Sequence, residues 1–150
     1  MTQTEAVKLF EQKKVRTVWD NEQEEWYFSV VDVVAVLTDS VNPTDYLKKL
    51  KTRDTELGLF LGTNCPQVMM MTKTGKRRKT LAADTKALFR IIQCIPSPKA
   101  EPFKLWMAQV AKERLDQLQD PELSIHQAMS DYKRLGYSDS WINQRLKSIE

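Results

Sequence analysis

An α+β fold, with a small antiparallel sheet of hairpins packed against several helices and a helical C-terminal extension, is what this sequence predicts. Three observations carry the expectation. Two short β-rich runs at residues 15–19 and 26–28 are separated by a polar stretch of hairpin length. A second pair, at residues 68–72 and 78–81, flanks the turn-forming Thr74-Gly75-Lys76. From Asp84 onward apolar residues recur at helical spacing and no further strand signal appears.

Taken in order, residues 5–13 read as a short amphipathic turn or a lead-in to the first strand. Residues 15–19 alternate well enough to be that strand, and the acidic segment 20–25 is the connection to Trp26-Tyr27-Phe28, residue types that suit a pleated, half-buried surface. Ser29 breaks the run with a side chain suited to an N-cap. Asp32, three residues on, is placed to close a capping box and to favour the positive end of the helix dipole. Val30, Val33, Val34 and Leu37 supply a buried face. Because so many valines lower helix propensity, packing has to hold this helix, which is expected to be short and internal. Asn42-Pro43-Thr44-Asp45 is a second start signal, with a capping Asn, a proline and an acid in the first turn. Tyr46, Leu47 and Leu50 make its apolar stripe, which leaves Lys48, Lys49, Lys51 and Arg53 to solvent or to phosphate.

Residues 57–67 contain glycines and a proline and read as a loop. Asp84 can cap a helix whose apolar positions are Ala87, Leu88, Ile91, Ile92 and Ile95, stopped by Pro96. The next helix is expected to start between Pro98 and Pro102 and to bury Phe103, Trp106, Met107, Val110, Leu115 and Leu118 on one side. After Asp120-Pro121 comes a helix through Leu135 ended by Gly136, then one capped by Ser138 that is still running at Glu150, as if a further region followed. This gives a domain over residues 1–119 and a helical extension over 120–150.

The formal charge is only +3, but its distribution is uneven. Residues 1–60 hold 8 basic and 11 acidic side chains, residues 61–100 hold 8 and 1, and residues 101–150 hold 7 and 8. The positive field therefore sits in the middle segment, above all in Lys73, Lys76, Arg77, Arg78 and Lys79 at one hairpin tip. Cys65 and Cys94 without an apolar leader fit free thiols in a reducing cytoplasm. No apolar run approaches the ~20 residues of a membrane span. Structural zinc is not expected, since the two cysteines and the single His126 lie in no ligand spacing, and His126 reads as an ordinary helix residue. Catalysis is not expected either: there is no glycine-rich phosphate loop, no nucleophile–histidine pairing, no carboxylate pair on a rigid element and no cofactor motif.

The order VRTVWD, EEWYFSVVDVVAVL, NPTDYLKKLK, TGKRRKTLA, ALFRII and KAEPFKLWMAQV resembles the Bro-N domain of phage antirepressors and viral Bro proteins, and the related N-terminal part of DNA-damage-inducible protein D. The resemblance covers residues 10–118 and departs from the usual pattern after Leu37, where Thr38-Asp39-Ser40-Val41 replaces a short glycine turn. It implies an α+β domain associated with DNA binding and with control of phage, prophage or host genes, and it carries over no catalytic residues. The expectation is a DNA-binding transcription-regulatory domain in which Lys73, Lys76, Arg77, Arg78 and Lys79 of the hairpin and Lys48, Lys49, Lys51 and Arg53 of the short helix contact duplex DNA. The same lysines would also serve simply to keep a helix face soluble. The alternative is a protein-interaction module that binds a repressor or a recombination protein, and a homo-oligomer is left open.

Overall fold

The computed structural model describes residues 15–148, so the segment 5–13 lies outside the described residues. Its sheet is small, antiparallel, four-stranded and curled, with strand order β1-β2-β4-β3. Strands β1 (Thr17–Asp20) and β2 (Glu25–Ser29) form the first hairpin, in which Val18 pairs with Tyr27 and Trp19 with Trp26. Asp20 Oδ1 accepts the backbone N–H groups of Glu22 and Gln23, fixing the turn.

Helix α1 (Val30–Thr38) follows at once, with Ser29 Oγ accepting from the Asp32 N–H. Val30, Val33, Val34, Val36 and Leu37 are buried, so packing does hold this valine-rich helix. The expected capping box is not made. The Ser29 N–H donates to the Arg16 carbonyl, and the Asp32 carboxylate instead takes the Arg16 guanidinium. Asp39 ends α1 in the left-handed region (φ 54°), the conformation a glycine would supply, and its carboxylate meets Lys99 Nζ at 2.6 Å. Helix α2 (Pro43–Arg53) starts at Asn42, whose Oδ1 accepts from the Asp45 N–H, and buries Leu47 and Leu50.

The loop expected over residues 57–67 is instead largely a helix, α3 (Thr55–Asn64). Asp54 caps it by accepting the Leu57 N–H, and Leu57 and Leu61, one turn apart, are fully buried. Burying two leucines contributes about 3–6 kcal/mol, which outweighs the roughly 1 kcal/mol that each of Gly58 and Gly62 costs a helix. Strands β3 (Gln67–Met71) and β4 (Arg77–Ala83) form the second hairpin, and β4 joins β2 only through Phe28↔Ala83 and Ser29↔Ala82. Tyr27, Met70 and Ala82, with Val18 and Val68 against them, fill the inside of the curl.

Helix α4 (Thr85–Cys94) is capped by Asp84, and Ala87, Leu88, Ile91, Ile92 and Ile95 are all buried at the expected spacing. A 3₁₀ turn (Pro98–Ala100) leads into α5 (Glu101–Gln119), followed by α6 (Glu122–Arg134) and α7 (Asp139–Ser148). The chain forms two compact units that divide within α5, after Trp106. The first holds the main core, and Phe103 is part of it. The stripe expected along α5 is only partly buried: Trp106 and Met107 are half-buried, and Val110, Leu115 and Leu118 are exposed. The periodicity outruns the side chains available to cover it. In the second unit Ile142 is the one fully buried large side chain among the described residues, and Tyr132, Tyr137 and Trp141 form an aromatic cluster.

Candidate nucleic-acid interface

The second hairpin is built to present cations. Its turn is closed by Thr72 N–H to Lys76 O (2.7 Å) and Gly75 N–H to Thr72 O (3.0 Å), with Gly75 at φ 83°, where a side chain would be strained. Thr72 Oγ1 also accepts the Lys76 N–H and lies 2.9 Å from Thr74 Oγ1. Lys73, Lys76, Arg77, Arg78 and Lys79 all stand exposed around this turn. In register, Met70 pairs with Arg78, Met69 with Lys79 and Met71 with Arg77. Paired residues share a face, so Arg78 is on the side of buried Met70, while Arg77 and Lys79 are on the outer side with Met69 and Met71.

Beyond Ala82, β4 has no β2 neighbour, because the chain has turned from β2 into α1. A cleft of about 780 Å³ opens beside that free edge. Lys73, Arg78, Lys79 and Thr80 line one side, and Val31, Asp32 and Thr44, from the first turns of α1 and α2, line the other. Lys48, Lys49, Thr52 and Arg53 line a separate shallow depression on α2. Thr44, Lys48 and Thr52 stand four apart, so cleft and depression follow one another along a single helix face. Lys49 is 3.2 Å from Asp45, and Lys51 is half-buried with its backbone against Gly58 of α3. The hairpin residues and the α2 residues therefore meet at the first turn of α2, through Thr44, rather than as one cluster of side chains.

Arg16 fixes the hairpin to this frame, and composition alone does not reveal it. Its Nε and a terminal nitrogen bind both oxygens of Asp32 (2.7 and 3.1 Å), its backbone N–H adds a third bond (2.9 Å), and its other terminal nitrogen donates to Met71 O (3.0 Å) where the hairpin leaves the sheet. The bond to Asp32 raises the guanidinium above its ordinary pKa. Only the acid three residues after Ser29 signals this in the sequence. Cys65 and Cys94 are both free thiols. Among the described residues no group of three or more His, Cys, Asp or Glu side chains could hold a metal ion, and no helix is long and apolar enough to cross a membrane.

Residues 14–113 match the sequence profile described as BRO family, N-terminal domain (Bro-N). No curated protein and no solved structure matches the chain.

Proposed function

The chain belongs to the BRO family through that domain, and on this premise we propose that it is a regulatory domain of phage or prophage antirepressor type that binds duplex DNA through the β3–β4 hairpin and the exposed face of α2. One observation carries the reading. Arg16, Lys49, Lys99, Lys104, Lys112 and Lys133 each pair with an acid. Among the described residues the other lysines and arginines form no ion pair, and of these only Lys73, Lys76, Arg77, Arg78 and Lys79 gather around a single turn. Five exposed cations left without counter-charges on a stiff turn suit a polyanion, because each phosphate they neutralise releases condensed counterions. Lys48 and Arg53 extend the cationic surface along α2. The reading assigns the domain no catalytic step and no cofactor.

A duplex titration at two salt concentrations tests it. Binding should weaken steeply with salt, and replacing Lys76, Arg77, Arg78 and Lys79 by alanine should weaken it further and flatten the slope of log K against log salt by about 0.9 for every phosphate that is no longer neutralised. An unchanged slope removes the hairpin from the interface. A second reading, a module that binds a repressor or recombination protein, draws on the exposed Leu115, Leu118, Leu123 and Ile125 of the second unit. Chemical-shift changes confined to residues after Asp120 on adding duplex, or none at all, would put that reading first.

A further inference from the structure

The first hairpin has a surface that DNA binding does not use. Trp19 and Trp26 are directly paired, on the face opposite Val18 and Tyr27, and are 43 % and 49 % exposed. Their rings sit edge to face at 5.2 Å, and the Trp19 indole N–H is held by Asn21 Oδ1 at 2.8 Å. The pair is thus a fixed apolar platform with the Trp19 polar atom already satisfied. Next to it, in the turn, stand the exposed Glu22 and Glu24, while Asp20 and Glu25 fall on the face of Val18 and Tyr27, and the sequence has no lysine or arginine between Arg16 and Lys48. Among the described residues neither Glu22 nor Glu24 forms an ion pair. An exposed tryptophan pair bordered at the turn by two uncompensated carboxylates matches a surface that presents cations beside soft apolar groups, since cations sit favourably over indole faces and methionine sulfur contacts ring edges.

The chain carries that complementary surface itself. The outer face of β3–β4 shows Met69 (41 % exposed) and Met71 (53 % exposed), paired across the hairpin with Lys79 and Arg77. We propose that the acidic tryptophan hairpin β1–β2 of one copy docks on the outer face of the basic hairpin β3–β4 of a second copy of this chain. The contact is heterologous, so each copy keeps one acidic and one basic hairpin free for the next and the assembly grows with concentration. It engages Arg77 and Lys79, so under the DNA-binding reading above duplex DNA competes with it.

Sedimentation of the full chain without DNA tests the proposal. At about 0.1 M salt the average mass should rise with concentration above the 17.5 kDa of one chain. It should return to that value at about 1 M, where the screening length falls from ~10 to ~3 Å. Two variants separate the halves of the contact: Glu22→Lys with Glu24→Lys spoils the acidic side, and Arg77→Ala with Lys79→Ala removes the basic side without creating a partner for the new lysines. All four residues are exposed, and a melting curve checks each fold. Each variant alone should stay at one chain, whereas an equimolar mixture should reach the mass of two chains and stop there, because only one intact surface of each kind remains. Wild-type chain that sediments as one chain at every concentration overturns the proposal, as does association that survives both pairs of substitutions or a mixture that stays monomeric. Monomeric wild-type chain that binds an oligo-arginine peptide would assign the platform to a foreign cationic partner and also overturn it. Self-association that duplex neither joins nor dissolves would leave the docking standing and remove the DNA reading.

Discussion

Arg16 directs its donors to three places at once: the Asp32 carboxylate, the Ser29 hydroxyl and the Met71 carbonyl. Removing either charge strands the other in a half-buried position, where hydrogen bonds to a charged group are worth about 1.5–3 kcal/mol. Asp32→Asn and Arg16→Leu should each lower stability by roughly that amount in urea unfolding, and the double variant should lose about 1–2 kcal/mol less than the sum. Additive losses would show that the two side chains do not support one another. The cysteines give a chemical prediction. Burial, and secondarily Asp84, pushes the Cys65 thiol up to about 11, whereas Cys94 is half-exposed beside Arg90. The raised folded value means that Cys65 contributes stability below the thiol's ordinary pKa near 9 and loses it as pH rises from there through about 11. At pH 8 alkylation should reach Cys94 first, with Cys65 at least about tenfold slower, as mass spectrometry of the digested chain would read. At this scale the sequence was legible where interactions are local. Ser29, Asn42 and Asp84 all cap as their spacing indicates, but the Arg16–Asp32 pair spans a hairpin and depends on its register, so no short motif announces it.

Both hairpins and helices α1, α2 and α4 follow from alternation, caps and turn residues, because each is specified by side chains within a few positions of one another. Helix α3 was hidden for the opposite reason. Gly58, Gly62 and Pro66 punctuate its sequence, while the Asp54 cap and the Leu57–Leu61 spacing that form it gain their value only from a core made elsewhere in the chain. Gly62 sits exposed, and an added Cβ would meet nothing within 4 Å. Gly62→Ala should therefore raise stability by about 0.5–1 kcal/mol. Gly58→Ala, whose Cβ would stand 3.5 Å from Lys51 O, has ordinary van der Waals room and a smaller gain. A destabilised Gly62→Ala variant in thermal or urea melts would mean that the position needs glycine's freedom. Helix α5 errs the other way: its apolar periodicity is real, yet Val110, Leu115 and Leu118 remain exposed, since spacing shows a stripe and not whether anything lies against it.

Over the whole molecule, charge segregation was readable from the sequence, and the cationic middle segment does become the exposed hairpin. Which cations share a surface was not readable, because the cleft depends on the first turns of α1 and α2 being brought beside β4. The two compact units differ in what holds them. Phe103, Leu37, Leu57, Ile91, Ile92, Ile95 and three valines are fully buried in the first, against Ile142 in the second. Amides of α1 and α4 should accordingly be the slowest to exchange with deuterium, and those of α6 and α7 should exchange through openings of lower free energy. Equal protection in both units would contradict this. The short seam between the hairpins has a mechanical consequence. Five residue pairs tie β3 to β4, but two tie β4 to β2. The basic arm is therefore a stiff lever on a narrow root, with Arg16 as a strut across it. Its reach can be lengthened or shortened at the tip without altering a single core residue.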